Sequence, residues 1–234
     1  MQHFILKFNR GLRHSVKLIR KISKQKLINR MNKNLYENKP IVFCDFDGVL
    51  CHDRYWKSLP IDKLEKIQKF LFEKDNTLVI DWMRGKHTAE EINQILADQT
   101  DISYKKLWKI FVDDCKSMKV SKKILNKLNK LRKSYIVILV TSNMDSFSRF
   151  TQPALDLESY FDYISNSYNE GILKTDNNGE LYLGLANRYG IPIQNCLVFD
   201  DSKEVQKIFN KLGGTAYLVT KKQDFTFYLE NILE

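Results

Sequence analysis

Ile41-Val42-Phe43-Cys44-Asp45-Phe46-Asp47-Gly48-Val49-Leu50 reads as a buried strand that stops on two carboxylates and a glycine. Apolar, β-leaning residues lead into Asp45 and Asp47, spaced i and i+2, so both project to the same side where the strand gives way to a turn. Burying two carboxylates side by side without a partner is costly. A bound divalent cation relieves that cost, and magnesium suits carboxylate oxygens together with a phosphate. An ordinary Asp-rich turn after a strand is the competing reading, and this stretch alone leaves both open.

Working outward, the period of the apolar residues changes twice. Residues 53–134 read as helical almost throughout. Ile61, Leu64, Ile67, Phe70 and Leu71 form a stripe behind Pro60, a natural helix start. Thr88-Ala89-Glu90-Glu91 is a capping signal, with Ile92, Ile95 and Leu96 behind it. Leu107, Ile110 and Phe111 continue the pattern, and Ser121 opens a further segment with Ile124, Leu125, Leu128 and Leu131. Then Tyr135-Ile136-Val137-Ile138-Leu139-Val140 forms an unbroken apolar run closed by Thr141-Ser142-Asn143, the mark of a strand buried on both faces. Further strands are predicted at Phe161–Ser165, Cys196–Phe199 and Thr215–Val219. Helical patterns separate them around Ser146–Leu155, Leu181–Tyr189 and Lys203–Leu212. Alternation of this kind predicts an α/β fold with a Rossmann-like, doubly wound parallel sheet.

Ligands of such sheets gather outside the carboxyl ends of the strands. Those ends carry Asp45 and Asp47, then Thr141, Ser142 and Asn143, then Asp200, Asp201 and Ser202. Two acidic clusters and a hydroxyl cluster converging on one edge shift the balance towards a cation site.

Charge is unevenly placed. Of 38 Lys and Arg and 28 Asp and Glu, residues 1–39 hold eleven and one, so the remaining 27 of each cancel. The extension 1–39 is basic, and Phe4, Phe8, Leu12, Val16, Ile19 and Ile22 give residues 4–28 an amphipathic helical pattern. Four readings of it stay open. They are an anionic membrane surface as partner through residues 1–35, an organelle-targeting segment, a nucleic-acid or partner-binding arm, and a solvated leader without a partner. Nucleic acid ranks last of the three partner readings, because the balanced remainder offers no matching excess. Cys44, Cys51, Cys115 and Cys196 follow no disulfide or metal spacing. Together with the lack of a secretory apolar segment, this points to a reducing, cytoplasmic setting. No apolar stretch approaches the ~20 residues that cross a bilayer as a helix.

Four motifs in order resemble the haloacid dehalogenase-like superfamily, and within it the phosphatases with a helical cap. They are Asp45-Phe46-Asp47-Gly48, Thr141 at the end of the second strand, Lys174 in Gly171-Ile172-Leu173-Lys174, and Phe199-Asp200-Asp201-Ser202. The likeness spans residues 40 to about 220. Thr175 follows Lys174 where the family usually has Pro, and Val205 stands where members often carry a polar residue. The 93 residues between Asp47 and Thr141 leave room for a helical cap, whereas the 32 between Thr141 and Lys174 do not. The implied organisation is a core of residues 40–52 and 135–234 with a cap of residues 53–134.

The resemblance implies a Mg2+-dependent phosphatase working through an aspartyl-phosphate. Asp45 is then the nucleophile and Asp47 the general acid and base. Thr141, Ser142 and Lys174 hold the phosphate, and Asp45, Asp47 (through its backbone carbonyl), Asp201 and Asp200 hold the metal. The dehalogenating members lack a carboxylate at the position of Asp47 and use no metal. A cap of this size implies a small-molecule phosphate ester, of the sugar phosphate or nucleotide class, as substrate. A phosphomutase and a regulatory protein that keeps the fold, tethered by its basic N-terminus, are the alternatives.

Overall fold

The computed structural model describes residues 39–73 and 76–233. The amphipathic pattern over 4–28 lies outside the described residues. Five parallel strands form one sheet: β1 Ile41–Cys44, β2 Ile136–Thr141, β3 Tyr163–Asn166, β4 Cys196–Asp200 and β5 Thr215–Leu218, in the order β3-β2-β1-β4-β5. β1 pairs with β2 through Ile41 against Ile136 and with β4 through Ile41 against Cys196. The chain therefore builds outward on one side of β1, then crosses to the other. The reversal point, where a crevice opens, lies at the carboxyl ends of β1, β2 and β4.

Alternation along the strands explains why both faces are dry. Val42, Cys44, Val137 and Leu139 point to one apolar layer, while Ile41, Phe43, Ile136, Ile138 and Val140 point to the other. Two helices cover the second layer. They are α6 (Glu180–Tyr189), through Leu181, Tyr182 and Leu185, and α7 (Lys203–Lys211), through Val205 and Phe209. Val205 thus packs in the core. The predicted third strand starts two residues late, at Tyr163, because Asp162 is drawn off to pair with Arg132 and with the Val137 N–H.

Between β1 and β2 lie α1 (Ile61–Gln68), continued by one widened turn at Lys69–Glu73, then α2 (Thr77–Met83), α3 (Ala89–Thr100), α4 (Tyr104–Lys116) and α5 (Lys122–Leu131). Helix α3 starts on the predicted capping box: Thr88 Oγ1 accepts the Glu91 N–H, and the Glu91 carboxylate accepts the Thr88 N–H. The first four helices gather around Trp56, Trp82, Ile92, Leu107 and Phe111 as a core of their own. Helix α5 does not join them. Its Leu125, Leu128 and Leu131 pack under the sheet with Val42, Val137 and Leu229 of α8 (Phe225–Leu233). The cap is expected over 53–134, and the packing of α5 with the sheet bears on where it stops. We propose that it ends near Met118, because an apolar helical stripe does not itself say which surface it will meet. No helix among the described residues is long and apolar enough to cross a membrane.

Candidate active site

The loop after β1 is folded tightly on itself. Leu50 and Cys51 donate to the Phe46 carbonyl, and Gly48 donates to the Cys51 carbonyl. Gly48 has φ +76°, and a Cβ there would fall 2.0 Å from Asp201 Oδ2, so only glycine lets Asp201 lean over this loop. The Asp45 N–H donates to the Phe199 carbonyl of β4, which locks the first carboxylate beside the second acidic pair.

Asp45 is 6% exposed, Lys174 6% and Asp200 1%. Lys174 Nζ sits 2.5 Å from Asp45 Oδ2 and 2.7 Å from Asp200 Oδ2. Asp45 Oδ1 accepts the Phe46 N–H at 2.8 Å. Oxygens of Asp45, Asp200 and Asp201 lie within 4.8 Å of one another, a group able to hold a metal ion. Thus one buried ammonium is shared by two buried carboxylates, with the third, exposed carboxylate of Asp201 beside them. Burial pushes the Asp45 carboxyl up to about 8, even though Lys174 pulls it down. Burial and then Asp200 raise Asp201. Lys174 is held above its ordinary value, since Asp45 and Asp200 outweigh the burial that opposes its charge. It stays cationic.

Asp47 stands apart from that knot. Its Oδ2 accepts from Asn143 Nδ2 at 2.8 Å, and burial lifts its carboxyl to about 6 against the pull of Arg54, Lys174 and Asn143. Asn143 has its orientation fixed from behind. Its Oδ1 accepts both the Tyr55 hydroxyl at 2.6 Å and the Met144 N–H at 3.0 Å, which leaves only the amide nitrogen to face Asp47. The Asn143 N–H donates to Ser167 Oγ at 2.9 Å, and that hydroxyl also lies 2.8 Å from the Met83 carbonyl of the helical insert.

The structure brings together every predicted site residue. Thr141 is buried, with its hydroxyl 3.4 Å from Asn143 Nδ2, and Ser142 Oγ accepts the Lys174 N–H at 3.3 Å. The altered turn after Lys174 still delivers the lysine. Asp176 caps it by accepting the Leu173 N–H, and Asn177, Asn178 and Gly179 absorb positive φ before α6 begins. In the sequence Asn143 is one of the polar residues that close β2, and no short pattern assigns Tyr55 or Ser167 to the site. Only their convergence from segments far apart in the chain gives them meaning.

Donor chemistry and spacing both fit a hard cation: three carboxylates, incompletely neutralised, at the reversal point of the sheet. No curated protein matches the chain. Among solved structures, a HAD family enzyme from Bacteroides thetaiotaomicron has a TM-score of 0.67 at 19% identity, covering 82% of this chain and 98% of that one. The same enzyme, in complex with magnesium and inorganic phosphate, gives 0.62 at 18% over 82% and 99%. A HAD-like family hydrolase from Porphyromonas gingivalis gives 0.64 at 18% over 84% and 98%. These likenesses carry the fold. Residues 40–204, which run from the root of β1 past the second acidic pair, match the family described as hydrolase, haloacid dehalogenase-like hydrolase. The chain belongs to the haloacid dehalogenase-like hydrolases.

Proposed function

We propose that the protein is a Mg2+-dependent phosphatase for a small phosphomonoester, of the sugar phosphate or nucleotide class. The observation that carries this reading is the placing of Asp45, Asp47 and Lys174 in one crevice beside Asp200 and Asp201. Magnesium, held by Asp45, Asp201, the Asp47 carbonyl and Asp200, would supply positive charge against which an anionic phosphoester can approach a carboxylate. That the B. thetaiotaomicron enzyme was solved with magnesium and inorganic phosphate supports the same donor chemistry.

Asp45 then attacks phosphorus through a carboxylate oxygen, forming an acyl phosphate while the ester oxygen leaves. Asp47 gives that oxygen its proton. With a carboxyl near 6, it holds a proton in a useful fraction of molecules at neutrality and parts with it readily. In the second step Asp47 takes a proton from water, whose oxygen bonds to phosphorus as the bond to the Asp45 carboxylate breaks, which releases inorganic phosphate and restores Asp45. Lys174, Thr141 and the Ser142 N–H hold the equatorial oxygens as charge redistributes. The Asn143 amide keeps Asp47 Oδ2 occupied, so that Oδ1 is the oxygen that carries the reacting proton. The helices of the insert, with Tyr55 reaching Asn143, cover the crevice as a cap of the helical type and limit the substrate to small molecules.

Release of phosphate from a generic aryl phosphate tests this reading. Wild-type protein with magnesium should turn over, and the same protein with chelator, or Asp45→Asn, should not. Equal release by wild type and Asp45→Asn refutes the assignment.

A further inference from the structure

Although residues 40–234 balance in charge, the balance is not local. The stretch from Cys115 to Met144 contains no Asp or Glu, and residues 116–135 within it contain eight Lys or Arg. Four of these lie on α5 and three more, Lys119, Arg132 and Lys133, flank it. With Leu125, Leu128 and Leu131 turned under the sheet, its opposite face presents Lys122, Lys123, Asn126, Asn129 and Lys130 to solvent. Glu230 of α8 engages Lys123 and Lys127, and Asp162 engages Arg132. Lys119, Lys122, Lys130 and Lys133 have no carboxylate within ion-pair distance among the described residues. Helix stability does not ask for this pattern. The first turn of α5 holds lysines and no acid, against the helix dipole.

Two further features adjoin that face. On α8, Phe227, Glu230 and Leu233 recur at steps of three and so share one side, and Glu230 fixes that side against α5. Phe227 and Leu233 are 43% and 38% exposed there, so two large apolar side chains stand together at the rim of a lysine face. The root of the basic extension also lies here. Lys39 Nζ donates to the Arg132 carbonyl at the end of α5, and the Pro40 carbonyl accepts the Ile136 N–H. Residues 1–39, with eleven basic residues against one acid, therefore join the fold at the end of its own acid-free face.

We propose that the solvent face of α5, bordered by Phe227 and Leu233, docks the protein on an anionic lipid surface. Lysines contribute electrostatic attraction to acidic headgroups, and the two apolar side chains enter the interfacial layer. A lipid surface fits better than a nucleic acid. The one arginine of the segment is already paired to Asp162, so no Arg fork is offered to bases or phosphates. The docking surface is independent of the reaction proposed above.

The test is co-sedimentation of the full chain with vesicles of phosphatidylcholine, with or without phosphatidylserine. Wild type should bind only the phosphatidylserine vesicles. Lys122→Glu/Lys130→Glu/Lys133→Glu should weaken binding by at least about a hundredfold, at roughly fivefold for each lysine lost. Phe227→Ser should weaken it a few-fold without changing its salt dependence. Aryl phosphatase activity, where the wild type has it, and the thermal midpoint of every variant report an intact fold. Unchanged vesicle binding by the triple variant overturns the proposal, since the extension alone would then suffice. So does equal loss of oligonucleotide and vesicle binding in the triple variant with no effect of Phe227→Ser, which assigns the face to nucleic acid.

Discussion

Two buried carboxylates a few residues from the same crevice have opposite surroundings. Asp145 is 3% exposed and fully answered. It accepts from Trp82 Nε1 at 2.7 Å, the Ala89 N–H at 3.2 Å and Arg149 Nη1 at 2.7 Å, so that it ties the helical insert to the segment after β2. Asp45 is 6% exposed, accepts only the Phe46 N–H besides a lysine that it shares with Asp200, and has the carboxylate of Asp201 close by. Burial alone therefore does not separate a structural acid from a reactive one. The number of donors does: a satisfied carboxylate stabilises the fold, and an unsatisfied one is held in readiness for a ligand.

The largest expected effect breaks this comparison if it fails. Asp45→Asn should lower aryl phosphate turnover by at least about 10⁴-fold, with its denaturation midpoint at or above that of wild type. Asp145→Ala should do the reverse in stability, losing about 2–3 kcal/mol by urea denaturation because the Trp82 N–H and Arg149 lose a buried acceptor. Arg149 keeps Glu90 and is partly exposed, which holds the loss below that of a wholly buried pair. If the two variants lose stability equally, the distinction has no energetic content.

Lys174→Met comes next. It should reduce kcat/KM by about 10²–10³, the usual result of deleting one donor to a charged transition state. It should also make magnesium more stabilising, since the metal becomes the only counter-charge for Asp45 and Asp200.

A smaller effect concerns pH. The Asp45 carboxyl lies near 8 and the Asp47 carboxyl near 6 in the fold, both above their unfolded range. A raised carboxyl favours the folded state while protonated, so this contribution is complete below about pH 4 and fades as pH climbs through 6 and then 8. Metal-free protein should therefore lose thermal midpoint across that window, and Asp45→Asn should flatten the upper part of the slope. Added magnesium should raise the midpoint more at pH 8 than at pH 6, because the ligands must first be deprotonated.

Least in size is Arg84→Gln. Arg84, at the end of α2, grips Asp176 with Nε at 3.1 Å and Nη2 at 2.6 Å, two residues beyond Lys174. Both partners are partly exposed, so the loss should be about 0.5–1 kcal/mol, read by urea denaturation. A loss as large as that of Asp145→Ala would mean that the rim of the helical insert matters as much as its buried tie.

Much of this was legible in the chain. The four apolar residues of β1 and the unbroken run of β2 announce strands buried on both faces, and Thr88 with Glu91 announces the start of α3. The acids survive as a motif because their spacing at a strand end is local. Asp145 was not legible, since an isolated Asp in a helical stretch looks like any surface acid until Trp82, Ala89 and Arg149 close on it. Nor was the allegiance of α5, whose leucine stripe suits either layer.

Local pattern and period, which depend only on neighbours in the chain, determined the elements, their parallel arrangement and the family. Tertiary structure alone decided which side chains meet. Strand order set Asp45 beside Asp200, the turn at Asp176 carried Lys174 between them, and the packing of α5 gathered lysines on one face. Such contacts join residues separated by up to a hundred positions or more, and their geometry follows from how the layers stack, which no short stretch of sequence encodes.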